Sequence, residues 1–138
     1  MTIFSLGQII FKGLMFKVII AGSRQFNDYQ VLKDAVDYYL SGKDPSEIVI
    51  ISGHAKGADS LGERYAKEKG LALELYPADW EHLGKGAGFA RNTQMAEVAD
   101  ALIAFRVKGY ACNGTNHMIS QAKTRGLDIR VIDYEETI

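Results

Sequence analysis

The sequence is short of cysteine, of net charge and of long apolar runs, and each shortage removes a class of function. Cys112 is the sole cysteine of 138 residues, so no internal disulfide can form. That fits a reducing compartment, and a cytoplasmic location is expected. No Cys/His cluster has zinc-ligand spacing, so neither a metal site nor a cofactor is expected. Sixteen basic residues against seventeen acidic ones leave a formal net charge of -1. A dedicated nucleic-acid binder ordinarily carries a net basic face, so this balance argues against nucleic acid as the partner. No apolar run reaches the roughly 20 residues needed to cross a bilayer, and no membrane partner is expected. Linkers, repeats and low-complexity tracts are missing too, which leaves one domain.

The first fourteen residues, MTIFSLGQIIFKGL, precede a second methionine, Met15. They have neither a basic start nor a small-residue cleavage site, so a signal peptide is not expected. We read 1–14 as a short extension, able to dock on the domain or on a second subunit, and 15–138 as the domain. A homo-oligomer, with a dimer foremost, is the expected assembly.

Short apolar runs alternate with helical patterns. The runs are Lys17–Ala21, Glu47–Ile51, Ala72–Tyr76, Ala101–Phe105 and Asp128–Ile132, and three of them are β-branched and nearly continuous. Such runs suit strands covered on both faces. Leu32, Ala35, Val36, Tyr39 and Leu40 fall on one helix face. Further helices are expected over 58–69, stopped by Gly70, over 89–99, and over 115–125, stopped by Gly126. Strands that alternate with helices need crossovers, and crossovers make a parallel sheet. The expectation is a single Rossmann-like, doubly wound α/β sandwich of five strands, ordered 3-2-1-4-5.

Glycine is the residue in excess, fourteen of 138, about 10% against a usual 7%. Eight of them (22, 53, 57, 84, 86, 88, 109 and 114) fall where a strand leads into a helix. In an open parallel sheet those loops share the carboxyl edge, where ligands bind beside the switch point. Helix starts there present unpaired N–H groups and a positive dipole end, which suit phosphate.

Each loop adds chemistry to that edge. After the first run, Gly22 allows a tight exit, Ser23 offers a hydroxyl, and Arg24 can form a bidentate pair with phosphate. The second loop, Ser52-Gly53-His54-Ala55-Lys56-Gly57-Ala58-Asp59, bends strand into helix and sets Asp59 in the first turn. A carboxylate there caps N–H groups or accepts from ribose hydroxyls. No Lys-Ser/Thr pair follows its second glycine, so it is not a P-loop. The third runs from Pro77 through Asp79 and Trp80 to Gly84-Lys85-Gly86-Ala87-Gly88 and reads as irregular. Trp80 can stack on a base or pack as a lid, and Arg91 and Asn92 are expected to open the next helix. The fourth, Asn113-Gly114-Thr115, opens the last helix with a hydroxyl beside its first N–H groups. Cys112 carries no sign of an activated thiolate.

Read together, KVIIAGSRQF, VIISGHAKGADSLGERYAKEKGL, PADW, GKGAGFARNTQMAEVADALIAF and GTNHMI resemble the SLOG superfamily, most closely its YspA/YpsA-like branch. The resemblance runs from Lys17 to about Ile132. It implies a Rossmann-like fold and a nucleotide-derived ligand at the strand edge. SGHAKGAD and ARN are similar to DprA proteins, which handle single-stranded DNA. Arg91 and Gly114-Thr115 resemble LOG-type phosphoribohydrolases, which cut the base from a nucleoside monophosphate. Those enzymes carry a PGGxGTxxE motif, and Met118 stands here at its glutamate. A thioether cannot move a proton or steady an oxocarbenium ion.

The expected function is therefore binding, as a sensor or sequestering module for a nucleoside phosphate, NAD or an ADP-ribose-like molecule. The expected contacts are the loop residues Gly22, Ser23, Arg24, Ser52, Gly53, His54, Gly57, Asp59, Trp80, Arg91, Asn92, Gly114 and Thr115. The alternatives are a nucleotide N-glycosidase, with Arg91, Asp59 or Asp79 as catalytic candidates, and DprA-like binding of single-stranded DNA.

Overall fold

A computed structural model describes residues 15–136. The expected extension over 1–14 lies outside the described residues.

The apolar runs form β1 (Phe16–Gly22), β2 (Ile48–Ser52), β3 (Ala72–Leu75), β4 (Ala101–Val107) and β5 (Asp128–Tyr134). All pairings are parallel, and the strand order is β3-β2-β1-β4-β5. That is the expected doubly wound order. Successive side chains of a strand point to opposite faces. Val18 and Ile20 of β1 accordingly join one apolar cluster, while Ile19 and Ala21 join another.

Two helices cover each face. Leu32 and Val36 of α1 (Tyr29–Leu40) and Ala58, Tyr65 and Ala66 of α2 (Ala58–Lys69) pack into the first cluster. The short α3 (Trp80–Leu83) precedes α4 (Ala87–Val98), and α5 (Asn113–Thr124) follows β4. Met95 and Ala96 of α4 and Met118 and Ile119 of α5 fill the second cluster. From β1 the chain winds outward through β2 to β3, then returns across the sheet to β4 on the other side of β1. The boundary between β1 and β4 is thus the switch point. Among the described residues no helix is long and apolar enough to cross a membrane.

The segment expected to be irregular is partly helical. The carboxylate of Asp79 accepts from His82 N at 3.2 Å and starts α3, and a 3₁₀ turn at Gly84–Gly86 leads straight into α4. Arg91 and Asn92 therefore lie in the second turn of α4, a correction to their expected place at its start. Glycine's poor helix propensity hid the earlier beginning. The last helix likewise starts at Asn113, two residues before expectation.

Candidate functional site

The reversal of strand order leaves a cleft of about 280 Å³ at the carboxyl ends of the central strands. Its floor is apolar, made by Ala21 of β1, Met95 of α4 and Met118 of α5, all buried. Its walls are polar. Gly22, Ser23, Arg24 and Gln25 leave β1 on one side, Asn113, Gly114 and Thr115 open α5, Arg91 and Asn92 come from α4, and Asp59 comes from α2. Half-exposed Trp80 and Phe89 form an aromatic rim with Lys85 between them in sequence.

Three helical segments of this fold are closed at their start by an aspartate. Asp28 accepts from Val31 N at α1, Asp44 from Ser46 N at the 3₁₀ turn Pro45–Glu47, and Asp79 from His82 N at α3. α5 differs. It follows Cys112, in the left-handed region at φ 50, and has no side-chain cap and no acidic residue in its first turn. The N–H groups of Asn113, Gly114 and Thr115 find no acceptor among the described residues, whereas Asn116 N already donates to Cys112 O at 2.9 Å. Thr115 is 7% exposed, and its hydroxyl also has no partner among the described residues. Every sealed side-chain N or O among those residues is hydrogen-bonded, so this hydroxyl opens on the cleft that Thr115 lines. Orphan donors of this kind attract an anion.

Ser23 and Asn92 hold the cleft's shape. Ser23 Oγ accepts from Val107 N at 3.0 Å and lies 3.1 Å from Cys112 Sγ, tying the end of β1 to β4 and to the start of α5. Asn92 Nδ2 donates to Gly114 O at 3.1 Å, and its Oδ1 accepts from Arg91 Nε at 3.1 Å. The same Nδ2 is 3.2 Å from His117 Nδ1, which must then accept. Burial lowers the pKa of His117, which fits a neutral ring, and Phe89 stacks on it with centroids 4.1 Å apart.

Four of the expected contact residues stand behind the wall. Ser52 Oγ donates to Glu63 Oε2 at 2.8 Å and accepts from His54 N at 3.0 Å, and His54 Nδ1 lies 2.9 Å from the same Oε2. Glu63 thereby staples the turn after β2. The Gly53 carbonyl in that turn accepts from Arg91 Nη1. A Cβ on Gly53 would lie 2.5 Å from Arg91 Nη1 and 2.8 Å from Asp59 Oδ2, so only glycine lets the two charged groups lie over it. Gly57 backs onto Ser23 and Arg24, where Ala58 N donates to Ser23 O at 3.2 Å. These residues orient the lining rather than join it. Asp79 also lies outside the lining, pairing with His82 at 2.9 Å.

Lys85, Gln25 and Asn113 line the cleft without having been singled out as contacts. Lys85 was legible, flanked by two glycines in the loop that carries Trp80. Arg24, Lys85 and Arg91 face one carboxylate among the lining residues, Asp59. Burial pushes Asp59 up to about 6, against the pull of Arg91 and the Ala55 N–H.

A family model described as YAcAr, the YspA, cpYpsA-related SLOG family, matches residues 16–82. Gene 61 protein of Mycobacterium phage D29 is 35% identical over 121 residues, spanning 83% of this chain and 94% of that protein. DNA processing protein A (DprA) from Streptococcus pneumoniae is similar in structure at a TM-score of 0.49 and 16% identity. The match covers 86% of this chain and 59% of that one.

Proposed function

We propose that this chain, which belongs to the YspA, cpYpsA-related SLOG family, binds a nucleotide-derived molecule bearing phosphate and ribose in the cleft beside β1 and β4, as a sensor or sequestering module. The observation that carries the reading is the open start of α5. Three backbone N–H groups and the nearly buried Thr115 hydroxyl have no acceptor among the described residues, on a wall shared with Arg24 and Arg91. Phosphoryl oxygens accept from donors of each of these kinds. The aromatic rim of Trp80 and Phe89 offers ring faces to a base. Binding without cleavage is favoured by the floor, where buried Met118 supplies a thioether instead of a carboxylate.

Trp80 is the lone tryptophan and lines the cleft, so its fluorescence reports occupancy. Titration with AMP, NAD and ADP-ribose is expected to give saturable quenching, with the ligand recovered unchanged. Arg91→Ala is expected to weaken binding about 10- to 100-fold, as for loss of a hydrogen-bonded charge. Thr115→Val, nearly the same shape, is expected to weaken it about 5- to 10-fold with little change in melting temperature. Released base would overturn the binding reading in favour of an N-glycosidase. Wild-type affinity in both variants would remove the phosphate from this wall.

A further inference from the structure

Asp59 is out of keeping with its surroundings. It is the one carboxylate among residues that otherwise offer Arg24, Lys85, Arg91 and unpaired N–H groups. Its residue is 5% exposed. Oδ2 accepts from Ala55 N at 3.2 Å, while Oδ1 has no partner among the described residues and so reaches the open cleft. The groups that face it are Arg91 from α4, Glu63 one turn along α2, and Arg24 from the loop after β1. Lys85 and Cys112 complete the titratable lining, and His54 stands behind through its contact with Glu63.

A phosphoryl ligand in this cleft brings a second negative charge towards Asp59. At about 4 Å and an effective dielectric near 20, leaving both charged weakens binding by roughly a thousandfold. Neutralising the carboxyl at pH 7 costs only about tenfold, because burial has already raised it to about 6. Neutralisation wins by about two orders of magnitude.

We propose that Asp59 meets the ligand as the neutral acid, donating from Oδ1 to a phosphoryl oxygen, so that the ligand anion and one proton from solvent enter the cleft together. This rests on the anion reading above and assigns Asp59 the role of a donor. The opposite role, a carboxylate accepting from ribose hydroxyls, predicts no proton uptake, affinity that falls towards acid, and weaker binding by Asp59→Asn.

Calorimetry with ADP-ribose, whose diphosphate stays ionised throughout, tests it in two buffers of unlike ionisation heat at about pH 7. Roughly one proton is expected to be taken up per ligand bound, and affinity is expected to rise about fiftyfold from about pH 8 to about pH 6. Asp59→Asn keeps a donor without the charge. It is expected to abolish the uptake, flatten the pH profile and bind about a hundredfold tighter than wild type at about pH 8. Asp59→Ala is expected to abolish the uptake as well, so the result does not hang on one variant. No proton uptake in wild type, uptake that survives both substitutions, or weaker binding by Asp59→Asn each overturns the proposal while leaving the cleft a binding site. Failure of ADP-ribose, AMP and inorganic phosphate to bind at any pH from about 5 to about 8 overturns the anion reading itself.

Discussion

Replacing Gly57 by alanine is expected to cost about 4 kcal/mol and to lower the melting temperature by roughly 10–20 °C. Gly57 has φ 78 and ψ -128, a region that side chains with a Cβ avoid at a cost of about 1–3 kcal/mol. Space is short there as well. A Cβ would lie 2.6 Å from backbone atoms of Arg24 and would overlap the Ser23 carbonyl oxygen, which accepts from Ala58 N. Backbone cannot swing aside as a side chain can, so the loop after β1 must move, adding about 1–3 kcal/mol. That loop is a wall of the cleft. The variant is therefore expected to lose ligand affinity at temperatures where it is still folded. Gly70→Ala serves as the control. Gly70 also has positive φ, at 67, yet nothing lies within 4 Å of its missing Cβ. It is expected to lose only about 1 kcal/mol, and thermal unfolding of the two variants side by side separates strain from collision.

Strand order and layering were legible because both rest on local signals. Runs such as Val18-Ile19-Ile20 and Ile48-Val49-Ile50-Ile51 admit little but strands covered on both faces, and helices between them force parallel crossovers. The convergence of Arg24, Arg91 and Thr115 followed from topology, since the loop after β1 and the N-terminal halves of α4 and α5 share one edge of the sheet. What each hydroxyl bonds to was not legible. Ser23 reads as a donor for a ligand, but its oxygen is held by Val107, 84 residues away, and Ser52 by Glu63 on the following helix. Such pairings depend on register and side-chain placement, which no local pattern encodes. Aspartate was ambiguous for the same reason. Asp28, Asp44 and Asp79 occupy cap positions where their oxygens meet nearby N–H groups. Asp59 differs because Arg91 and the Gly53 turn close over it, and that enclosure is tertiary.

Asp59→Asn is expected to stabilise the fold by about 3 kcal/mol at about pH 8 and by almost nothing near pH 3. The folded carboxyl titrates at about 6, against 3.8 without the fold, because burial outweighs the attraction of Arg91 and the Ala55 N–H. A group raised in the folded state binds its proton more tightly there. Its favourable contribution is complete below the unfolded value and is lost as pH rises through about 6. Above that pH the wild-type chain holds an ionised carboxylate that would be better solvated in the unfolded state. Asparagine is neutral throughout and can still accept from Ala55 N, so the variant escapes the loss. Denaturant unfolding of both chains across that range is expected to show curves that coincide in acid, diverge between about pH 4 and about pH 6, and run parallel above. Curves parallel from acid to base would mean that burial does not perturb Asp59. Destabilisation by asparagine at high pH would mean that Arg91 holds the charge more tightly than burial opposes it. A stability gain combined with altered ligand binding would show a carboxyl kept against the interest of the fold, which is the signature of a group retained for the cleft.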